Sequence, residues 1–367
     1  MKIAIARQDL LDAVNKVKTV VPSKSALPIL SHLLIETVDT GIRVSATDLK
    51  VSIQCVVDCD VRQPGGLTVS CQRLASILSE LPDKEITLTL GESNVVELTC
   101  GRIHTKLFSM PSDQFPPIRE FDVKPVSFKQ GVLRSLFLKT SFAICTDQAR
   151  YNLTGLLYEI VGGRLTVVAT DGRRMSLCCE EEGVPDDLDV KVIIPAKMVN
   201  ELQRLLGEDD PVEVFIDQSQ AAFTFNSIRL VTALIEGNFP NYDMVIPKKH
   251  DKEAILDTVR FSEAMRRTRT MTNEKFNSVR FKLGGSMLTL KVVTPEVGEY
   301  EEDMEIQYDG ENVEIAFNPD FILDILRHVN SEKVCLVLRD AMSPGVLKPY
   351  TEAPVDNYIN VIMPIRI

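Results

Sequence analysis

Apolar residues recur with helical spacing in six short segments of the chain, and they alternate with polar residues between those segments. In the first segment Leu10, Leu11, Val14 and Val17 fall on one helical face. The alternating segments, such as 85–90 and 212–216, predict strands. Many strands among few helices indicate an α+β fold. The helices are predicted at residues 7–18, 71–80, 128–139, 196–206, 260–270 and 319–329.

One pattern occurs three times along the chain. IRVSATDL at 42–49 returns as LTVVATDG at 165–172 and as LTLKVVTP at 288–295. Repetition at this distance predicts three copies of one domain, at residues 1–118, 126–243 and 252–367. Two segments without periodicity, 116–125 and 247–252, are the predicted linkers. Each domain is predicted to contain a helix followed by strands and then a second helix followed by strands. The half-domain, one helix with its strands, is therefore a second candidate for the duplicated unit.

The eight cysteines show no spacing that repeats between the three domains, and there is no Cys-x-x-Cys. Cys55 and Cys59 lie in an alternating segment and are predicted to share one strand face as small buried hydrophobes. A metal site there is the weaker alternative, because the ligand pattern is incomplete. Reduced thiols and an N-terminus without an apolar signal segment predict a cytoplasmic protein.

The charge is distributed unevenly, although the net charge of −11 argues against nucleic acid. The six predicted helices hold 14 Lys/Arg and 7 Asp/Glu, whereas the rest of the chain holds 27 and 45. Helices tolerate surface lysine and arginine, which is one explanation, but they tolerate glutamate equally. The alternative is that the helices meet phosphates, which predicts DNA binding without sequence preference.

Asp48 and Asp171 invite a catalytic interpretation as paired carboxylates. They occupy equivalent places in different repeats, so they should lie far apart, and an acid–base pair must reach one substrate. The sequence has no glycine-rich phosphate loop and no nucleophile elbow. We therefore expect no catalytic residues, and neither a cofactor nor a bound metal.

Several motifs together resemble the bacterial DNA polymerase III beta subunit family, the DNA sliding clamps. The resemblance covers the whole chain. The motifs that carry it are Leu27-Pro-Ile-Leu30, Ala46-Thr-Asp-Leu49, Arg150-Tyr151, Ala169-Thr-Asp-Gly-Arg-Arg174, Asn238-Phe-Pro-Asn-Tyr242, Asn273-Glu-Lys-Phe276 and Met363-Pro-Ile-Arg-Ile367.

The resemblance implies three repeated domains of the DNA-clamp fold and a head-to-tail homodimer that closes into a ring. Helices would line the hole and antiparallel sheets would form the outside, which agrees with the charge distribution. The ring would encircle double-stranded DNA and serve the replicative polymerase subunit, the clamp loader, repair polymerases and other clamp-binding peptides. No membrane contact is expected.

The resemblance also implies residue roles. The DNA-facing candidates are Lys24, Arg73, Arg150, Tyr151 and Lys197, to which the charge pattern adds Arg134, Arg266 and Arg267. The partner-peptide pocket would comprise Leu153, Thr170, Gly172, Arg173, Arg174, Met175, Pro240, Val245, Val361, Met363, Pro364, Ile365 and Arg366. The edge strands of the first and third domains would meet at the dimer interface, with Thr105 and Leu107 against Thr270 and Met271.

A second class of function remains open from the residues alone. A three-domain scaffold that binds peptides and does not encircle DNA would use the same apolar pocket. Retention on closed circular DNA separates the two, because a scaffold does not depend on the topology of the DNA.

Overall fold

The computed structural model describes residues 1–247, 252–351 and 357–366. The helices begin and end within three residues of the predicted segments. They are α1 Arg7–Val17, α2 Cys71–Glu80, α3 Gln130–Thr140, α4 Ala196–Leu205, α5 Thr258–Thr270 and α6 Pro319–Leu326.

The strands follow the predicted repeat. In the first domain they are β1 Lys2–Ala6, β2 His32–Val38, β3 Gly41–Thr47, β4 Val51–Asp58, β5 Asp60–Gln63, β6 Gly66–Ser70, β7 Glu85–Leu90, β8 Val95–Cys100 and β9 Ile103–Phe108. In the second they are β10 Val126–Lys129, β11 Gly155–Val161, β12 Arg164–Thr170, β13 Arg174–Glu180, β14 Val190–Pro195, β15 Pro211–Ile216, β16 Gln220–Phe225 and β17 Ile228–Ala233. In the third they are β18 Lys252–Asp257, β19 Val279–Gly284, β20 Met287–Thr294, β21 Gly298–Glu305, β22 Val313–Phe317, β23 Lys333–Leu338, β24 Gly345–Pro349 and β25 Tyr358–Ile362.

The half-domain is a repeated unit as well. Each half consists of a strand, a helix and three strands, and the pattern recurs six times apart from the extra strand β5. The first strand of each half pairs with the other half of its domain: β1 with β7 and β6 with β2, for example. This exchange of strands makes the two halves of a domain interdependent.

Two antiparallel sheets of eight strands each cross a boundary between domains. One has the order β10-β15-β16-β17-β4-β3-β2-β6, so β17 and β4 form the first junction. The other has the order β14-β11-β12-β13-β25-β24-β23-β18, so β13 and β25 form the second. Each junction therefore joins two domains by main-chain hydrogen bonds.

In the described part of the chain, two smaller sheets, one in the first domain and one in the third, have no strand from another domain paired with them. One has the order β5-β1-β7-β8-β9 and the other β21-β20-β19-β22. Among the described residues, β9 pairs only with β8, and β21 only with β20. By position in the repeat, β9 corresponds to β17 and β25, whereas β21 corresponds to β4 and β13.

The contacts divide the chain into two compact units. One comprises residues 1–132 with 200–234, and the other 133–199 with 235–367, so each unit contains one junction and part of the predicted central domain. In the first unit α1 contacts α2 and covers β3 and β4. In the second, α5 contacts α6, and Phe261, Phe281 and Phe317 form a chain of edge-to-face rings. No described helix is long and apolar enough to span a membrane.

Two local predictions have different outcomes. Asn318 caps α6 by accepting a hydrogen bond from the backbone N–H of Asp320, with Pro319 in the first turn, which confirms the predicted helix start. The prediction for Cys55 and Cys59 is wrong in part, because β4 ends at Asp58. Cys55 is buried in the sheet, whereas Cys59 follows the strand and is half-buried.

The linker at 116–125 has no helix or strand, as predicted. In the second predicted linker, residues 248–251 lie outside the described residues. The thiols of the described chain are mostly buried, and burial raises the pKa of Cys71 and Cys178 to about 11. Such thiols stay protonated at neutral pH, which is the state expected of structural cysteines.

The first junction allows a test of the fold. Ile53 on β4 is fully buried and pairs in register with Leu230 on β17. Ile53→Ala is expected to lower the free energy of unfolding by about 2–5 kcal/mol, because it leaves a cavity in the junction. Denaturant titration measures this, with Gln54→Ala on the other face of the same strand as the control. Equal effects of the two substitutions would contradict the packing.

Candidate functional site

The repeated Ala-Thr-Asp motif forms a tight turn. The Asp171 carboxylate accepts hydrogen bonds from the backbone N–H groups of Arg173 and Arg174, at 2.9 and 3.0 Å. Thr170 Oγ1 accepts from the N–H of Gly172 and donates to the carbonyl of Arg174. Gly172 has φ +81°, a conformation that favours glycine.

The first copy of the motif has the same construction. Asp48 Oδ1 accepts from the backbone N–H groups of Lys50 and Val51, at 2.9 and 2.7 Å. The repeated aspartates thus satisfy turn amides, which accounts for an acidic residue at these positions without a catalytic role.

Arg174 connects this turn to two other segments of its unit. Its guanidinium donates to Asp171 Oδ2 at 3.1 Å, to Asp324 Oδ2 at 2.6 Å and to the carbonyl of Phe142 at 2.8 Å. It also lies over the rings of Phe142 and Phe321, 5.5 and 4.6 Å from their centroids. Five donors in a rigid plane make arginine suited to several simultaneous partners.

A cavity of about 140 Å³ lies beside this turn, at the second junction. Met175 on β13 pairs in register with Val361 on β25, and both line the cavity. Nine predicted pocket residues line it: Leu153, Thr170, Gly172, Arg174, Met175, Pro240, Val245, Val361 and Met363. The lining is mainly apolar, with exposed side chains at Val245 and Met363, so it suits an apolar side chain of a ligand.

Three lining residues were missed by the sequence analysis. Phe239, Asn241 and Tyr242 belong to the motif Asn238–Tyr242, from which only Pro240 was assigned to the pocket. The motif itself was therefore the available signal. Tyr242 donates a hydrogen bond to Glu159 at 2.6 Å, and burial together with this carboxylate raises the pKa of Tyr242.

Four predicted pocket residues do not line the cavity. Arg173 is exposed, and its carbonyl accepts from the N–H of Met363. Pro364, Ile365 and Arg366 follow the last strand, where the N–H of Ile365 donates to the carbonyl of Ala316. This bond directs the terminal segment toward β22 rather than along the cavity.

The predicted DNA-facing residues all lie on helices or in loops. Lys24 and Arg73 are exposed in the first unit. In the second, Tyr151 and Arg266 are exposed, whereas Arg134 and Lys197 are half-buried.

Arg150 and Arg267, which were predicted to face DNA, contact other residues of the chain. Arg150 donates to the carbonyl of Asp171 at 2.5 Å and so supports the rim of the cavity. Arg267 on α5 forms a pair of hydrogen bonds with Glu302 on β21.

The predicted interface residues divide between strand and helix. Thr105 and Leu107 lie on the free strand β9, as expected. Thr270 is the last residue of α5 and Met271 is its C-cap, so neither lies on the free strand of the third domain, which is β21. The Met271 carbonyl accepts at 2.6 Å from Oγ1 of Thr294, the last residue of β20, which is the strand that pairs with β21.

Comparison with known families agrees with the repeat and the turn motifs. Models of the N-terminal, central and C-terminal domains of the DNA polymerase III beta subunit match residues 1–119, 127–241 and 243–366. The chain belongs to the DNA polymerase III beta subunit family. These proteins are sliding clamps, processivity factors without catalytic activity, so the non-enzymatic interpretation is confirmed.

Relatives match this clamp along its full length. It is 33% identical to the beta sliding clamp of Chlamydia muridarum, over 100% of this chain and 99% of that one. It is 30% identical to that of Escherichia coli, over 100% of both. The crystal structure of a Pseudomonas aeruginosa sliding clamp bound to griselimycin is similar with a TM-score of 0.95 and 33% identity, covering 100% of both chains.

The three partners of Arg174 yield a prediction about stability. Arg174→Met is expected to lower the free energy of unfolding by about 2–4 kcal/mol, because it removes one charged donor from each of two carboxylates and a carbonyl. Arg173→Met is the matched control, and its effect should stay within about 0.5 kcal/mol because the side chain is exposed. Denaturant titration of both variants measures the two free energies of unfolding. An equal change in both would contradict the role assigned to Arg174.

Proposed function

We propose that two copies of this clamp join head to tail through β9 and β21 and close a ring around double-stranded DNA. The supporting observation is that the corresponding strands pair twice within the chain, at β4–β17 and at β13–β25. A free strand of each type is left over, so a second copy supplies both missing partners. The ring then holds DNA by encirclement and needs no base contact.

The two internal junctions share one register, which supports a definite pairing between copies. The first residue of β17, Ile228, lies opposite Cys55, and the first residue of β25, Tyr358, lies opposite Cys178. Cys55 and Cys178 each follow the repeated threonine by the same spacing as Glu302. The first residue of β9, Ile103, is therefore expected opposite Glu302 of a second copy.

The chemistry of the two free strands is complementary in this register. Lys106 would lie opposite Glu299, His104 opposite Glu301 and Thr105 opposite Tyr300. β9 contains no acidic residue, whereas β21 contains five acidic residues and no basic one. Opposite charges on directly facing strand positions favour pairing between strands.

An apolar contact would extend the interface past the start of β21. In the same register Phe108 would lie opposite Val297. Their exposed fractions here are 84% and 51%. Large exposed apolar side chains that face each other are typical of an interaction surface.

The cavity at the second junction is the proposed binding site for short peptides from partners. Its apolar lining and flexible Met363 suit recognition of several related sequences. Through it the clamp would tether the replicative polymerase, the clamp loader and repair polymerases. We propose that it acts in the cytoplasm, where its DNA lies.

Ring closure around DNA has a topological signature. The clamp, once loaded, should remain on a closed circular plasmid through gel filtration and leave when the plasmid is cut once. Retention is measured with a labelled clamp on both forms. Loss from both forms alike would support the scaffold alternative, and equal retention on both would indicate DNA binding without encirclement; either result would contradict the ring.

The peptide pocket can be tested with griselimycin, the compound held by the Pseudomonas aeruginosa clamp. A variant with Val245→Ala and Met363→Ala should bind labelled griselimycin about tenfold more weakly, because two exposed apolar walls are shortened. Met244→Ala is the matched control, since Met244 is 80% exposed and does not line the cavity. Unchanged affinity in the double variant would contradict the pocket.

A further inference from the structure

The free strand β21 carries a charge at a position that is apolar and buried in both of its counterparts. Glu302 corresponds to Cys55 and Cys178, which are 0% and 2% exposed at the internal junctions. Each of these cysteines lies opposite the first residue of the neighbouring strand, Ile228 or Tyr358, which is itself buried. A second copy would cover Glu302 with Ile103 in the same way. A carboxylate can be covered by an apolar side chain only if it is paired.

Arg267 provides that pairing. Its Nη2 donates to Glu302 Oε1 at 2.6 Å and its Nε to Glu302 Oε2 at 3.1 Å, a two-point arrangement stronger than an ordinary surface ion pair. Its Nε also lies 3.3 Å from the Tyr300 hydroxyl, which itself donates to Glu302. The hydrogen bond from Arg267 lowers the pKa of Glu302, so the carboxylate stays charged and held.

Tyr300 and Glu302 lie on the face of β21 that a second copy would cover. Tyr300 and Glu302 are half-buried, whereas Glu299, Glu301 and Asp303 are exposed on the other face. In the register above, Tyr300 and Glu302 are the two positions that Thr105 and Ile103 of a second copy would cover. The Arg267 side chain is itself 49% exposed and stands beside them.

We propose that Arg267 is a positioning residue for the contact between two copies, and not primarily a DNA contact. It neutralises Glu302 and holds Tyr300, so that the face of β21 that carries these two residues can be covered by β9 of the second copy. This inference rests on the proposed head-to-tail dimer. It departs from the sequence analysis, which grouped Arg267 with Arg266 on charge alone.

The test is a set of substitutions read by sedimentation equilibrium of the full-length chain. Arg267→Gln should weaken dimerisation by about tenfold or more, because it leaves the Glu302 carboxylate to be covered without a partner. Adding Glu302→Gln to that variant should restore dimerisation to within about threefold of the wild type, since no charge is then covered. Arg267→Lys should give an intermediate value, because lysine keeps the charge but lacks the fork.

The neighbouring Arg266 supplies the matched control. Arg266→Gln should leave dimerisation unchanged and should reduce retention on plasmid DNA at low salt. Thermal unfolding of each variant shows whether it is folded.

Two results would overturn the inference and leave the dimer intact: wild-type dimerisation by Arg267→Gln, or no rescue by Glu302→Gln. Failure to rescue would mean that Arg267 acts through helix α5 alone. A wild type that is monomeric would overturn the proposed function itself.

Discussion

An edge strand exposes a row of backbone N–H and C=O groups, and this constraint governs the whole molecule. At two places the chain satisfies it internally, by pairing the last strand of one half-domain with the last strand of another. The same two kinds of strand remain open at β9 and β21. A second copy would supply the missing partner for each of these two strands.

The pocket depends on the same arrangement. Its floor is the pairing of Met175 with Val361 across the second junction, and its rim is the turn held by Asp171. Arg174 ties this turn to Asp324 and Phe142. The exposed apolar wall at Met363 is therefore carried on a rigid support, as a binding site for short peptides needs. The second junction and the proposed peptide site therefore share one sheet.

Much of the fold could be predicted because its signals are local and repeated. Helical periodicity located α1 and α2, and the repeated segment that contains Thr47, Thr170 and Thr294 located the equivalent points of the three domains. Cys59 was mispredicted, since alternation continues through a residue at which the ladder has already ended. The sequence also suggested that Arg266 and Arg267 have one role. Only coordinates place Glu302, 35 residues further along the chain, against Arg267.

The site was predictable to the extent that motifs carried it. Residues of the turn and Val361 line the cavity, whereas the residues after Met363 do not, because the hydrogen bond from Ile365 to Ala316 links residues distant in sequence. The free strand of the third domain was missed for a similar reason. A strand lies at an edge when no other strand pairs with one of its sides. The pairing of all the strands in the sheet decides this, and the local sequence does not.

The central claim is the pairing of β9 with β21 between copies, and a cross-link tests it most directly. Lys106→Cys and Glu299→Cys in one chain place two cysteines opposite each other in the proposed register, within disulfide reach. The account predicts that oxidation links two copies of 41.0 kDa into a covalent dimer of about twice that mass. It also predicts that this dimer survives denaturation and disappears on reduction. A product that stays at the mass of one chain, or that links equally well from Lys106→Cys with Asp303→Cys, would contradict it.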